Sequence, residues 1–342
     1  MRISQLGEFG LIQRIKDSLP TPPPEVVVGI GDDVAVLQTS GSEYLLATCD
    51  VQVENVHFSR GAITPYQLGR KIAAINVSDI AAMAGTPLWA LVSLALPQDL
   101  DTAFVDALYE GMQEQLQMAG AAIVGGNLSR IDANIVVDLC LLGRVAPENL
   151  LLRSSARRGD LILVTGWLGD SRAGLELIRR PNLTVSEEIR RLLGQRHLMP
   201  QPRLVEGREL GASSLVHAMV DVSDGLVSDL GHICRASHVG AEIWMDNLPI
   251  SPACMEAARV VGANATNWAM EGGEDYELLF TASPESSAEI QRIVEERAGT
   301  RCHVLGRVLD EAEGMRIRLE NGTTTALSEK SAGWDHFRAV RP

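Results

Sequence analysis

Lysine is almost missing from this chain of 342 residues: Lys16, Lys71 and Lys330 are the whole complement, and arginine supplies the other positive charge. The net charge is −14 and no basic stripe interrupts it, so a phosphate polymer would be repelled; nucleic acid is excluded as a partner. An anionic nucleotide stays admissible if divalent cations screen the pair. Aromatic residues make up 4% against 46% apolar, which predicts an aliphatic core in a globular rather than disordered chain. The cysteines (Cys49, Cys140, Cys234, Cys254, Cys302) are odd in number, scattered and without a CxxC pair. That pattern fits a reduced, cytoplasmic protein better than a disulfide or zinc scaffold. Met1 to Gln5 carries no apolar leader core, and the longest apolar stretch, Leu88 to Leu96, is too short for a bilayer. No membrane contact and a cytoplasmic location are expected.

Several catalytic signatures are missing as well. There is no GxxxxGK[ST], no HRD or DFG, no GxSxG and no HExxH. A P-loop, a protein-kinase site, a hydrolase elbow and a zincin are thereby disfavoured. Any phosphate handled here must be met by metal-bound carboxylates instead of a P-loop lysine.

Along the chain, a helix over 7–19 is stopped by Pro20 and the Pro22 to Pro24 run. Strands are predicted at 26–30, 34–38 and 44–49. Thr64-Pro65 reads as an N-cap with proline at the first helical position, opening a helix to about Gly85. A buried strand over 88–96, a helix over 101–119 and strands over 121–124 and 135–143 follow. The polar stretch 154–159 suggests a junction between an N-terminal domain (1–150) and a C-terminal one (151–342). The second begins with a strand at 161–165, has a helix near 202–211, a strand at 215–220 and a helix after Asp224, and closes with mixed strands and a helix to about 320. Alternating strands and helices predict an α/β (α+β) protein of two domains.

What is present in strength is short acidic motifs: Gly31-Asp32-Asp33, Thr48-Cys49-Asp50, Asn76-Val77-Ser78-Asp79, Asp221-Val222-Ser223-Asp224-Gly225 and Gly272-Gly273-Glu274-Asp275. Most end an apolar strand or interrupt an Ala-rich helix, where an ionised carboxylate needs a partner. Each alone has a plain explanation: a Gly/Asp turn at 29–33, a solvent-facing or broken helix at 76–79, a helix cap by Ser223 or Asp224. Together they suggest hard oxygen ligands for Mg²⁺ or Ca²⁺, and Mg²⁺ usually accompanies phosphate. Gly125-Gly126-Asn127, after a strand, admits a phosphate or ribose against bare backbone, and Arg144 and Arg153 are phosphate partners or solvated surface. His57 is a substrate contact or a structural histidine. Trp334 either stacks on a flat substrate or docks on the core.

Taken in order, Gly7-Glu8-Phe9, Gly29-Ile30-Gly31-Asp32-Asp33, Asn76 to Met83, Asp221 to Leu226 and Gly272 to Leu278 resemble the thiamine-monophosphate kinase family, from residue 7 to about 337. The wider superfamily includes aminoimidazole ribonucleotide synthetase, selenophosphate synthetase and a hydrogenase maturation protein. The resemblance implies transfer of the ATP γ-phosphate to thiamine monophosphate, giving thiamine diphosphate and ADP with Mg²⁺. It implies Mg²⁺ ligands at Asp33, Thr48, Cys49 (through its backbone), Asp50, Asp79, Asp221 and Asp224, with Asp50, Asp221 and Asp224 at the catalytic centre. Tyr109, Gly126, Asn127, Arg153 and Ser223 would contact ATP; His57, Glu274 and Trp334 would contact thiamine monophosphate. It further implies a homodimer in which the N-terminal mixed sheet pairs across subunits while the C-terminal α/β domain closes the site. Asn127 departs from the Asp common in relatives, and Cys49 from a hydroxyl residue. Selenophosphate synthetase would be expected to carry an early reactive cysteine, and the first 48 residues hold none.

Overall fold

The computed structural model describes residues 3–327 and Phe337. Helix α1 (Ile3–Ser18) is broken at Gly7, whose φ of 70° leaves the helical region. The next strands, β1 (Val26–Val28), β2 (Ala35–Gln38) and β3 (Tyr44–Val53), pair antiparallel in sequence. Strands β4 (Thr86–Leu96), β5 (Ala122–Arg130) and β6 (Val136–Val145) complete a six-stranded sheet of order β1-β2-β3-β6-β4-β5. Only β4 and β5 run parallel.

Helices α2 (Pro65–Ala82) and α3 (Thr102–Met118) cover one face of this sheet. The start of α2 follows from local chemistry: the Thr64 side chain accepts from the Gln67 N–H while the Gln67 side chain accepts from the Thr64 N–H, with Pro65 in the first turn. Asp101 caps α3 in the same spirit. The helix continues unbroken through Ser78, which excludes a second cap there. Nearly all of α2 is buried, because it packs on β3 and β6, on α3, and on elements of the second unit.

That second unit is a seven-stranded sheet of order β13-β12-β9-β11-β7-β10-β8. Its strands are β7 (Leu161–Thr165), β8 (Val216–Asp221), β9 (Val239–Trp244), β10 (Leu278–Ala282), β11 (Cys302–Asp310), β12 (Met315–Arg318) and β13 (Thr324–Ala326). Around it lie α4 (Asp170–Arg179), α5 (Glu187–Leu198), α6 (Leu204–Ser213), α7 (Leu226–Ser237), α8 (Pro252–Val261), α9 (Ala265–Glu271) and α10 (Ser287–Ala298). Both sheets are mostly antiparallel, so the α+β form of the expected class is the one adopted. Helix α5 had no sequence expectation; its apolar positions are sparse, and only Leu193 and His197 are buried.

Two expectations need correction. The strand expected at 121–124 runs on to Arg130, so Gly125-Gly126-Asn127 lies inside β5 and not in a loop after it. Register with β4 carries the pairing through, with Leu91 opposite Gly125 and Val92 opposite Gly126. The helix after Asp224 is not capped by Ser223 or Asp224: its N-cap is Gly225, without a side-chain bond.

Close packing of α2 on α3 requires Gly69, where an added Cβ would sit 2.0 Å from the Leu108 carbonyl oxygen. Backbone cannot yield as a flexible side chain does. Gly69→Ala is therefore expected to cost about 1–3 kcal/mol or more by overpacking, read as a lower denaturation midpoint. An unchanged midpoint would contradict this packing.

Candidate active site

Four segments deliver carboxylates to one place. The loop after β1 supplies Asp32 and Asp33, β3 supplies Asp50, the last turn of α2 supplies Asp79, and β8 ends at Asp221. Oxygens of Asp33, Asp79 and Asp221 all lie within 4.8 Å of one another. Alternation along β3 turns Thr48 and Asp50 inward to this cluster and Cys49 to the opposite face. Thr48 Oγ1 donates to Asp79 Oδ2 (2.5 Å), and Asp50 lies close enough to Asp79 for the two carboxyls to share a proton. Ser78 Oγ donates to Asp221 Oδ2 (2.6 Å). Arg153 donates from Nε to Asp33 Oδ1 (3.2 Å) and pairs with the same oxygen through Nη2.

Gathering like charges in a buried place raises their proton affinity. Burial, then the Asp33 charge, pushes Asp221 up to about 8. Burial lifts Asp50 to about 6, and burial with the neighbouring Asp33 lifts Asp32 to about 6. Asp79 is raised well above the carboxylate range by burial and by Asp50 and Asp221. Asp33 is raised too, since burial outweighs the opposing pull of Arg153.

A second layer holds the loops in place. Asp229 Oδ2, one turn into α7, accepts the N–H groups of Ser223, Asp224 and Gly225 at 3.0, 3.1 and 3.0 Å. This reach back from within the helix substitutes for the absent cap. Backbone bonds then tie this loop to the next: Glu274 N–H to the Ser223 carbonyl (2.7 Å) and Tyr276 N–H to that of Val222 (2.8 Å). Glu274 and Tyr276 hold positive φ values of 66° and 51° in consequence. Asp275 points away from the cluster and accepts from Gly169 and Ser171 at the start of α4 (2.7 and 3.1 Å).

The Glu274 side chain pairs with Lys71 Nζ (2.7 Å) and faces His197 Nδ1 (3.3 Å). Burial would raise its proton affinity, but Lys71, His197 and His57 together bring it below the usual range. His57 Nδ1 accepts from the Val53 N–H (3.0 Å). Arg153 thus contacts the carboxylates and Ser223 follows Asp221 in the same loop, while Glu274, with His57 in its field, is held at Lys71, two turns along α2 from Ser78. Within one chain the remaining nucleotide candidates do not join them. Tyr109 is half buried against the N-terminal core. Asn127 is exposed in β5, in line with Ser93 and Asp138 on the face opposite Asp50. Gly126 is already demanded by the sheet, since a Cβ there would meet the Val92 carbonyl oxygen at 1.9 Å. Trp334 lies outside the described residues.

Sequence reading missed Ser78, Lys71, Asp229 and His197. Lys71 had a signal in the scarcity of lysine. Asp229 had none, because an aspartate in a first helical turn is ordinary.

Hard divalent cations fit this donor set. Asp33 Oδ2 is buried with no hydrogen-bond partner among the described residues, and the convergent donors are oxygens. Asp224, Asp229 and His232 form a further group within 4.8 Å.

A fold of two mixed sheets joined at a carboxylate cluster defines the class to which comparison assigns the chain. Residues 31–145 match the N-terminal domain of AIR synthase related proteins, and residues 157–317 match the C-terminal domain. The thiamine-monophosphate kinase of Aquifex aeolicus is 37% identical over 98% of this chain and 100% of its own length. That of Escherichia coli K12 is 36% identical over 97% and 98%. A solved structure of AaThiL complexed with AMPPCP and TMP superposes with a TM-score of 0.83 at 36% identity, covering 98% of this chain and 99% of that one. The chain belongs to the thiamine-monophosphate kinase family, and it is accordingly an enzyme of the kinase class.

The raised carboxyls set a pH dependence. Folding increases their proton affinity, so their protonation stabilises the fold; this contribution is complete below pH 3.8 and is lost as pH rises through about 6 for Asp50 and about 8 for Asp221. In chelator the melting temperature should fall across that interval, less steeply in Asp221→Asn. Added Mg²⁺ should restore most at the alkaline end. Identical profiles for the two proteins, or no Mg²⁺ gain at pH 8, would refute the electrostatic assignment.

Proposed function

We propose that this enzyme transfers the γ-phosphoryl group of ATP to the phosphate of thiamine monophosphate, giving thiamine diphosphate and ADP, by direct in-line displacement with Mg²⁺. The observation that carries the reading is the meeting of Asp33, Asp79 and Asp221, from three distant segments, with Asp50 beside Asp79. A relative's complex with AMPPCP and TMP supplies the substrate pair.

Two anionic phosphates must approach each other, so positioning and charge neutralisation are the main tasks. Asp33, Asp50, Asp79, Asp221 and Asp224 would hold Mg²⁺, assisted by the Thr48 hydroxyl and the Cys49 carbonyl, and the bound ions would offset the charge that develops between the phosphates. Thr48 and Ser78 would orient Asp79 and Asp221 by donating to one oxygen of each. Arg153, which pairs with Asp33, would turn to a nucleotide phosphate. Ser223 contacts ATP from a loop whose backbone Asp229 fixes. His57, Glu274 and Trp334 receive thiamine monophosphate. The acceptor phosphate is already ionised near neutral pH, so no strong general base is needed and no phosphoenzyme forms.

Tyr109, Gly126 and Asn127 would reach ATP only in a homodimer. The outer face of the first sheet supports one: Val51 in β3 and Trp89 and Leu91 in β4 stand exposed on either side of β6, where monomeric surfaces seldom gather large apolar groups. We divide the chain into a 1–150 nucleotide-binding and dimerisation domain and a 151–342 domain that closes the site. Among the described residues no helix is long and apolar enough to cross a membrane; with five free cysteines, a cytoplasmic location is the consistent one.

Incubation with Mg²⁺, ATP and thiamine monophosphate should yield thiamine diphosphate and ADP in equal amounts. Asp221→Asn and Asp224→Asn should each lose about 10²-fold or more in kcat while keeping the fold. Full activity in both variants, or a trapped phospho-aspartate, would refute the mechanism. Trp89→Glu should shift sedimentation from dimer to monomer; an unaltered dimer would refute the interface.

A further inference from the structure

Lys71 is 1% exposed, one of three lysines in the chain, and lies in the middle of a helix whose remaining buried positions are mostly apolar. A buried ammonium is costly without a partner. Its partner comes from the other unit: Glu274 Oε1, at 2.7 Å. Glu274 Oε2 faces His197 Nδ1 (3.3 Å), which in turn lies 3.0 Å from Ser171 Oγ. Lys71 thus holds one carboxylate oxygen, and 31% of the side chain remains open to solvent. The acceptor is fixed and still accessible.

The second polar contact of α2 with that unit is Ser78 to Asp221. Residues 71 and 78 are seven apart, so they share a helix face and stand about 10 Å apart along the axis. One end of this face meets the proposed phosphate-binding carboxylates, the other Glu274. We propose that Lys71 is a positioning residue for the acceptor substrate: it fixes Glu274 two turns away from the carboxylate cluster, as the contact for the organic part of thiamine monophosphate. This rests on the reading of Glu274 as a substrate contact given above. Lys71 touches no substrate in this arrangement and acts only through Glu274.

Steady-state kinetics of Glu274→Gln, Lys71→Met, Lys71→Arg and the Glu274→Gln/Lys71→Met double variant test the assignment. Lys71→Met should raise KM for thiamine monophosphate about 10-fold, the loss of one hydrogen bond to a charged group. KM for ATP should stay within about twofold, since that interaction is far from the nucleotide. Lys71→Arg should recover most of the loss, and the double variant should match Glu274→Gln alone. Equal rises in both KM values, or additive losses in the double variant, would make Lys71 a merely structural residue and overturn the proposal. An unchanged thiamine monophosphate KM in Glu274→Gln would instead overturn the reading of Glu274, and the proposal with it. If the Met variant does not accumulate as folded protein, Lys71→Gln carries the same comparison.

Discussion

Mutual repulsion among buried carboxylates is the constraint around which this molecule is arranged. Bringing Asp33, Asp50, Asp79 and Asp221 together in a place sheltered from water is unfavourable, and their raised proton affinities register that cost. Nothing in the packing of an aliphatic core calls for it. Protons and Arg153 relieve the repulsion in the free chain; divalent cations would do so more fully while presenting positive charge to phosphates.

Helix α2 shows how one element serves stability and chemistry at once. Its apolar positions fill the N-terminal core from Leu68 to Met83. Three of its polar positions, Lys71, Ser78 and Asp79, engage groups at the junction with the second unit or with β3. The facing loops are tied by hydrogen bonds: Asp229 collects three backbone N–H groups, and backbone bonds join the 221–225 and 272–277 segments. Glu274 and Asp224 therefore sit in one hydrogen-bonded unit that α2 holds through Lys71 and Ser78, which is the arrangement wanted of two substrates that must meet in line.

Much of this was legible in the sequence. Helix α2 announced itself through Thr64-Pro65 and an Ala-rich run, β3 through Tyr44 to Cys49, and the acidic motifs through their position at apolar ends. Convergence was not legible from spacing, because it depends on which strands become neighbours: β3 pairs with β6, about ninety residues away. The persistence of β5 through two glycines was hidden for the same reason, since the register with β4 and not local propensity decides it. Capping was misjudged at 221–225 because a side chain four residues beyond Gly225 took the role usually given to the cap. Lys71, by contrast, was visible as a rarity whose partner no local pattern could name.

Anomalous diffraction from crystals grown with Mn²⁺ and a non-hydrolysable ATP analogue tests the central claim most directly. Peaks are expected within about 2.0–2.4 Å of oxygens of Asp33, Asp79 and Asp221 and of the nucleotide phosphates. Density confined to surface carboxylates, with Arg153 still on Asp33 and no ion among the three aspartates, would contradict it.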